Sequence, residues 1–207
     1  MEYGSDSLAE QPDMDLGKLP PVKLDHLHRL TDDTGMLQHA SFTVPNFHEG
    51  YCIDDNARAL IVSVYLEELG HGEAFDLACR YLAFVAYAFN PETGCFRNFM
   101  NFERQWLEES GSADSHGRTL WALGHLLGRS QHSGLQGLAE RLFKQGLPAI
   151  LDTPHARGWA FALLGIHAYL RRFTHAPAII KIRDELAQRL LHLYQRHRSD
   201  DWCWYED

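Results

Sequence analysis

The sequence predicts an all-α fold of consecutive helical hairpins that forms part, about half, of an (α/α)6 toroid. Three observations predict it. From Asp54 onward, apolar residues recur at helical rather than alternating spacing. Three of the resulting helices open with related triplets, Asn56-Ala57-Arg58, His116-Gly117-Arg118 and His155-Ala156-Arg157, and each runs on into a strongly apolar stretch. The triplets are unevenly spaced, 60 residues apart (positions 56 and 116) and then 39 (116 and 155). Open solenoids hold a fixed period, so an uneven repeat favours a toroid with long loops at one rim.

The elements follow in order. Residues 1–20 are polar and acidic and lead into Pro20-Pro21, which reads as a flexible leader, with residues 21–207 as the partial toroid domain. A short helix covers Val22–Leu30, with Leu24, Leu27 and Leu30 at helical spacing. A long irregular stretch then runs to Ile53, and loops of this length in compact domains are often functional. Asp54–Leu69 is the first long helix and stops at Gly70, a good left-handed cap. Glu73–Phe89 is the second and ends before Asn90-Pro91. A second long loop contains FRNFMNF, whose alternation suggests a short strand. Helices follow over Asp114–Leu127, Leu135–Leu147, His155–Phe173 and Pro177–Arg196, with Pro177 suited to a first-turn position.

The helices with triplets are apolar nearly all round and should be inner. The alternate ones carry one apolar stripe and should be outer. The His155–Phe173 helix can also be aligned two residues later, through its Leu-Gly pair.

Composition narrows the class. Of 207 residues, 45% are hydrophobic and 23% charged, which is globular rather than disordered composition. A net charge of −9 repels phosphate backbones and argues against nucleic acid. No apolar run is long enough to cross a bilayer, and the N-terminus has no secretory pattern. Cys52, Cys79, Cys95 and Cys203 lack CxxC spacing and read as reduced thiols of a cytoplasmic protein. The 13 histidines form no HExxH-like pair, so neither a metal nor a cofactor is expected.

If the inner helices begin at one rim, their first turns face one cavity. That gathers Asp54, Asp55, Asn56 and Arg58 with Asp114, Ser115, His116 and Arg118, and with His155 and Arg157. Sugars are held by carboxylates, amides and guanidiniums, and by aromatic faces. The loops add Tyr51, Phe96, Asn98, Phe99, Asn101, Phe102 and Trp106. Glycosidic cleavage needs two carboxyl groups across the bond, and Asp55 and Asp114, at equivalent helix ends, are the catalytic pair expected. Asp54, Asn56, Arg58, Asn98, Asn101, Trp106, His116 and Arg118 are the expected substrate-binding set.

Blander roles compete with each. Any one of Asp54, Asp55, Asp114 and Ser115 would serve as a helix N-cap, although two adjacent aspartates exceed what one cap needs. Arg157 is more readily explained by structural pairing than Arg118. His116 reads as a satisfied core histidine, Phe84 and Phe161 as core, and Glu108-Glu109 as solvated loop charge. His39 and His48 line the cavity or lie on the surface. Trp106, in a polar loop, is harder to assign to packing.

The segments GYCIDDNARAL (Gly50–Leu60) and FRNFMNFERQWLEESGSADSHGRTLWALG (Phe96–Gly124), with HLHRLTDDTGMLQHASF (His26–Phe42), resemble a bacterial family of helical-toroid domains. Its members are attached to the C-terminal side of group 1 glycosyltransferases or encoded near glycan-processing enzymes. The family in turn resembles six-hairpin glycosidases and sugar-epimerase toroids. The resemblance implies a saccharide ligand, a glycosyltransferase as possible partner, and a cleft at the aspartates of Gly50–Leu60 and Ser112–Arg118. Hydrolysis is the preferred reaction. The alternatives are a non-catalytic glycan-binding accessory domain, or an isomerase or epimerase using His116 and His155 as acid and base.

A whole toroid needs about twelve helices. Three hairpins are therefore read as a truncation or as a half that pairs with a second copy. A dimer or higher oligomer is expected, with the Asp54–Leu69 helix, the His155–Phe173 helix or the tail Trp202–Trp204 in the contact.

Overall fold

The computed structural model describes residues 20–201, so the leader and the tail tryptophans lie outside the described residues. The chain is mainly helical. Helix α1 (Asp25–Leu30) leads into a loop carrying β1 (Ala40–Ser41), β2 (Val44–Pro45) and β3 (Tyr51–Cys52). Then come α2 (Ile53–Glu68) and α3 (Ala74–Ala88), and a second loop with β4 (Phe89–Asn90), β5 (Cys95–Phe96) and β6 (Phe99–Met100). Helices α4 (Ala113–Arg129), α5 (Ser133–Gly146), α6 (Ala156–Arg172) and α7 (Pro177–His197) complete it, with a 3-10 turn at Leu147–Asp152.

Local chemistry sets the boundaries. Helix α2 ends because Gly70 takes φ 77°, which lets its amide reach the Glu67 carbonyl and the His71 amide reach that of Leu66. Pro177 occupies the first turn of α7, where a missing N–H costs nothing. The FRNFMNF stretch splits into β5 and β6 rather than one strand, and helix α1 starts at Asp25, later than its apolar spacing suggests.

Helices α2, α4 and α6 form an inner row, backed by α3, α5 and α7. Helix α4 sits in the middle, packed against α2, α5 and most closely α6. It is buried on most sides, whereas α7 buries only Ile179 and Leu186. The α4–α6 contact is backbone on backbone. A Cβ built on Gly117 would collide with Gly158, one on Gly124 with the Gly165 carbonyl, and one on Gly128 with that of Ala168. The two helices therefore run parallel, with an offset of 41 residues at Gly117 and Gly124 and of 40 at Gly128. It matches the alignment through the Leu-Gly pairs, Leu123-Gly124 and Leu164-Gly165, and not the triplets. His116–Arg118 and His155–Arg157 do not stand at equal height.

The two long loops are sewn together above the first turns of the inner helices. Leu37 bridges Tyr51, Tyr51 pairs with Met100, and Met100 bridges Trp106, all antiparallel. Asn56, fully buried, clips this layer to α2. Its Oδ1 accepts from the Met36 amide at 2.8 Å, and its Nδ2 donates to the Cys52 carbonyl at 2.9 Å and the Met36 carbonyl at 3.2 Å. The open edge of α6 carries Arg157, Ala160, Leu164, His167 and Arg171. Leu164, at 46% exposure, is its one large exposed apolar side chain, where several were expected. No helix among the described residues is long and apolar enough to cross a membrane.

The seam makes a test possible. Gly124→Ala forces the α4 and α6 backbones apart and should cost about 1–3 kcal/mol in urea unfolding. Gly137, on the exposed side of α5 with open space around it, is the control: Gly137→Ala should gain about 0.5–1 kcal/mol. Equal effects would show that the seam does not limit packing.

Candidate functional site

The first turns of the inner helices carry the carboxylates. Asp54 and Asp55 follow the cap position of α2, which is Cys52, with no side-chain capping bond. Asp114 lies in the first turn of α4, whose cap is Ser112, its hydroxyl accepting from the Ser115 amide at 3.1 Å. None of the three aspartates, nor Ser115, caps a helix, so the simplest structural explanation for them fails. Acidic groups in the first turn are still favoured by the helix dipole.

Guanidiniums alternate with these carboxylates along the rim. Arg58 reaches Asp55 Oδ1 at 2.8 Å and Asp54 at 3.6 Å. Arg118 Nε stands 3.0 Å from Asp54 Oδ1, joining α4 to α2. That contact is an ion pair without a hydrogen bond, because the N–H points off the oxygen, and both atoms are buried with no other hydrogen-bond partner. Arg157 Nε stands 3.5 Å from Asp114 Oδ2, joining α6 to α4. Burial raises the Asp54 pKa most. Arg118 and Arg58 pull it down, Asp55 and Asp114 push it further up, and the net direction is upward. The Cys52 thiol donates to Asp55 Oδ2 at 3.0 Å; burial first, and then Asp55, push that thiol far up, so it is no nucleophile.

An aromatic pair completes the rim. The Arg118 guanidinium lies 4.5 Å from the Phe161 ring centroid, and Phe161 stacks on Trp121 with an interplanar angle of 4°. Sequence reasoning filed Phe161 with the core and passed over Trp121. The signal was present, since Arg118 and Trp121 are three apart on one face of α4, but placing Phe161 beside them needed the α4–α6 register.

The other expected site residues stand elsewhere. Asn56 serves the loop clip described above. His116 is buried inside, its Nε2 donating to the Gly146 carbonyl at 3.0 Å and its Nδ1 accepting from the Phe96 amide at 3.4 Å. Burial lowers its pKa to about 4, so the ring is neutral. Asn98 is buried; its carbonyl accepts from the Ile53 amide at 2.9 Å, while its Oδ1 has no hydrogen-bond partner. Asn101 holds a turn through its side-chain bonds to Gln105. Trp106 faces Phe84 and Tyr87 of the outer helix α3, at 5.6 and 5.3 Å. Tyr51 is buried and donates to Asp32 at 2.6 Å. Glu108 accepts from the Asn98 and Phe99 amides, and Glu109 pairs with Arg97, so both brace the loop. His39, His48 and His155 are exposed. The structure thus brings together Asp54, Asp55, Arg58, Arg118, Asp114 and Arg157. Among the described residues no group of three His, Cys, Asp or Glu side chains converges to hold a metal ion.

No known family profile matches this chain, and no curated protein matches it. Among solved structures, the fold is similar to that of a polysaccharide lyase, with a TM-score of 0.57 at 13% sequence identity. The superposition covers 76% of this chain and 52% of that one, so this chain spans about half the lyase's length. That likeness establishes a shared architecture of packed helices.

Proposed function

We propose that this is a carbohydrate-active domain that binds a saccharide across the first turns of α2, α4 and α6, with glycosidic hydrolysis as its reaction. The observation that carries the reading is the alternating row of three carboxylates and three guanidiniums beside a stacked aromatic pair. Carboxylates and guanidiniums hold sugar hydroxyls, and Phe161 with Trp121 offers a face for a ring. The lyase likeness and the motif resemblance to glycan-processing toroids point the same way.

Hydrolysis needs one carboxyl that retains a proton and one that does not. Asp54 is suited to the first task by its raised pKa, and it hands that proton to the leaving oxygen. Asp55, gripped by Arg58 and Cys52, and Asp114, beside Arg157, are the candidates for the carboxylate that activates water or attacks the sugar.

A second reading, eliminative cleavage of a uronate-containing glycan, is favoured by one observation: three guanidiniums, Arg58, Arg118 and Arg157, stand along one rim, and guanidiniums are the groups that receive a sugar carboxylate. The isomerase reading loses its acid–base pair, because both His116 nitrogens are engaged with backbone in the interior.

Calorimetry and product analysis on neutral and uronate-containing oligosaccharides test the proposal. Saturable binding is expected. Asp54→Asn, Asp55→Asn and Asp114→Asn are each expected to lower turnover by about 10²–10⁴-fold. A new reducing end without an unsaturated sugar marks hydrolysis, and an unsaturated uronate marks elimination. Binding without product indicates an accessory role, and no binding to any sugar rejects the proposal.

Stability provides an independent check. A carboxyl whose pKa is higher in the fold than in the unfolded chain loses stability as pH rises through the folded pKa. Asp54→Asn removes that loss. The variant should therefore melt higher than the parent at pH 7, with the gap closing below the ordinary carboxylate range. A lower melting temperature at pH 7 would mean that Asp54 serves the fold, through its arginines, more than a ligand.

A further inference from the structure

A cavity lies at the opposite end of the inner row from the rim, near the C-terminal ends of α2, α4 and α6. It has a volume of about 650 Å³, within the roughly 300–1,000 Å³ typical of small-molecule sites. Tyr65 of α2, Trp121 and His125 of α4, and Leu164, His167 and Arg171 of α6 line it. Trp121, stacked on Phe161, is the one residue that this cavity shares with the rim.

Three features favour a ligand site over a gap in packing. First, His125 is 5% exposed, yet its Nε2 is buried with no hydrogen-bond partner. Its ring lies 4.8 Å from that of Tyr65, and a polar atom left open beside a cavity is one that a ligand there can satisfy. Burial lowers its pKa to about 4, so the ring is neutral at physiological pH and offers one donor. Second, three guanidiniums, Arg129, Arg171 and Arg172, face the cavity against a single carboxylate, Glu68, in a chain whose net charge is −9. Arg129 is engaged by Glu68 at 2.6 and 2.7 Å, and Arg172 by the Leu127 and Ser130 carbonyls at 3.3 and 2.9 Å. Arg171 has no ion pair or hydrogen bond among the described residues, and it sits four residues from the exposed His167. Third, Trp121, Tyr65 and Leu164 give the cavity an apolar wall beside its charge.

We propose that this cavity binds a small organic oxyanion of about monosaccharide size, its charged group on Arg171 and the His125 nitrogen and its carbon face on Trp121. A sugar phosphate and a uronic acid share that chemistry. The site shares Trp121 with the rim but none of the rim's charged groups, so it stands independently of the reaction proposed there.

Isothermal calorimetry on the whole chain tests it, with glucose 6-phosphate, glucuronate, inorganic phosphate and glucose as probes. Saturable binding of glucose 6-phosphate or glucuronate is expected, and whichever binds tighter identifies the source of the charge. Glucose should not bind to the chain whose rim carries Asp54→Asn and Asp114→Asn. Arg171→Ala should weaken binding tenfold or more, and His125→Phe about tenfold, while Asp54→Asn/Asp114→Asn should leave it unchanged. Arg171 is exposed, so its variant keeps the fold and decides the matter even if His125→Phe melts early. The proposal is overturned if neither organic anion binds, including the case in which sedimentation shows a second copy sealing the cavity. It is also overturned if inorganic phosphate binds as tightly as the sugar phosphate, if Arg171→Ala binds as the parent does, or if the rim variant loses binding.

Discussion

Two helices that touch backbone to backbone can neither slide nor rotate without collision, and α4 and α6 touch in this way at Gly117, Gly124 and Gly128. Nearly everything at the rim depends on that contact. It sets Arg157 against Asp114 and lays Phe161 under Arg118. Because the inner helices are parallel, their positive ends collect on one side, and like ends side by side repel. The first-turn aspartates of α2 and α4 offset that repulsion, so acidic residues at the rim are electrostatically at home before any ligand is considered. The three arginines then balance the aspartates, leaving a rim dense in charge but nearly neutral.

The loops above the rim owe their order to a few buried polar groups. Asn56 gives the Met36 amide and the Met36 and Cys52 carbonyls side-chain partners, and Tyr51 reaches across to Asp32. Glu108 supplies acceptors to two consecutive amides. A loop of this length without helices must satisfy its backbone piecemeal, and here side chains from α2 and from the loops themselves do so. The polar residues that look most like sugar ligands in the sequence include several that are occupied with this task.

Much of the architecture was legible in the sequence. The six long helices stand within two residues of their expected limits. Apolar width separated the inner from the outer helices, because burial on several sides demands it. The rim aspartates were legible by position, but not their freedom from capping, since Ser112 two residues ahead of Asp114 and the backbone of Cys52 take that role. Register was left open between two alignments, because the triplets compare polar residues, whereas the helices align on their glycines, as the Leu-Gly alternative has it. Asn56, His116 and Trp106 were placed in the binding set because residue type does not reveal direction: a polar side chain at a helix start points to a cleft or to a loop according to what packs above it. The C-terminal cavity was invisible for a related reason. Its residues are scattered over three helix ends and converge only when α2, α4 and α6 pack side by side.

The glycine seam also bears on how this chain can diverge over time. Gaining or losing a single residue inside α4 or α6 would turn every later position by roughly 100°, carrying glycines out of the contact and side chains into it. Length changes are therefore confined to the loops, where the spacing between hairpins is already uneven. Sequences descended from a common ancestor with this one should keep the seven-residue step between Gly117 and Gly124, and between Gly158 and Gly165, after the charged rim has drifted beyond recognition. Kinship among such proteins would be better traced through the small residues of the inner helices than through the residues that meet the ligand.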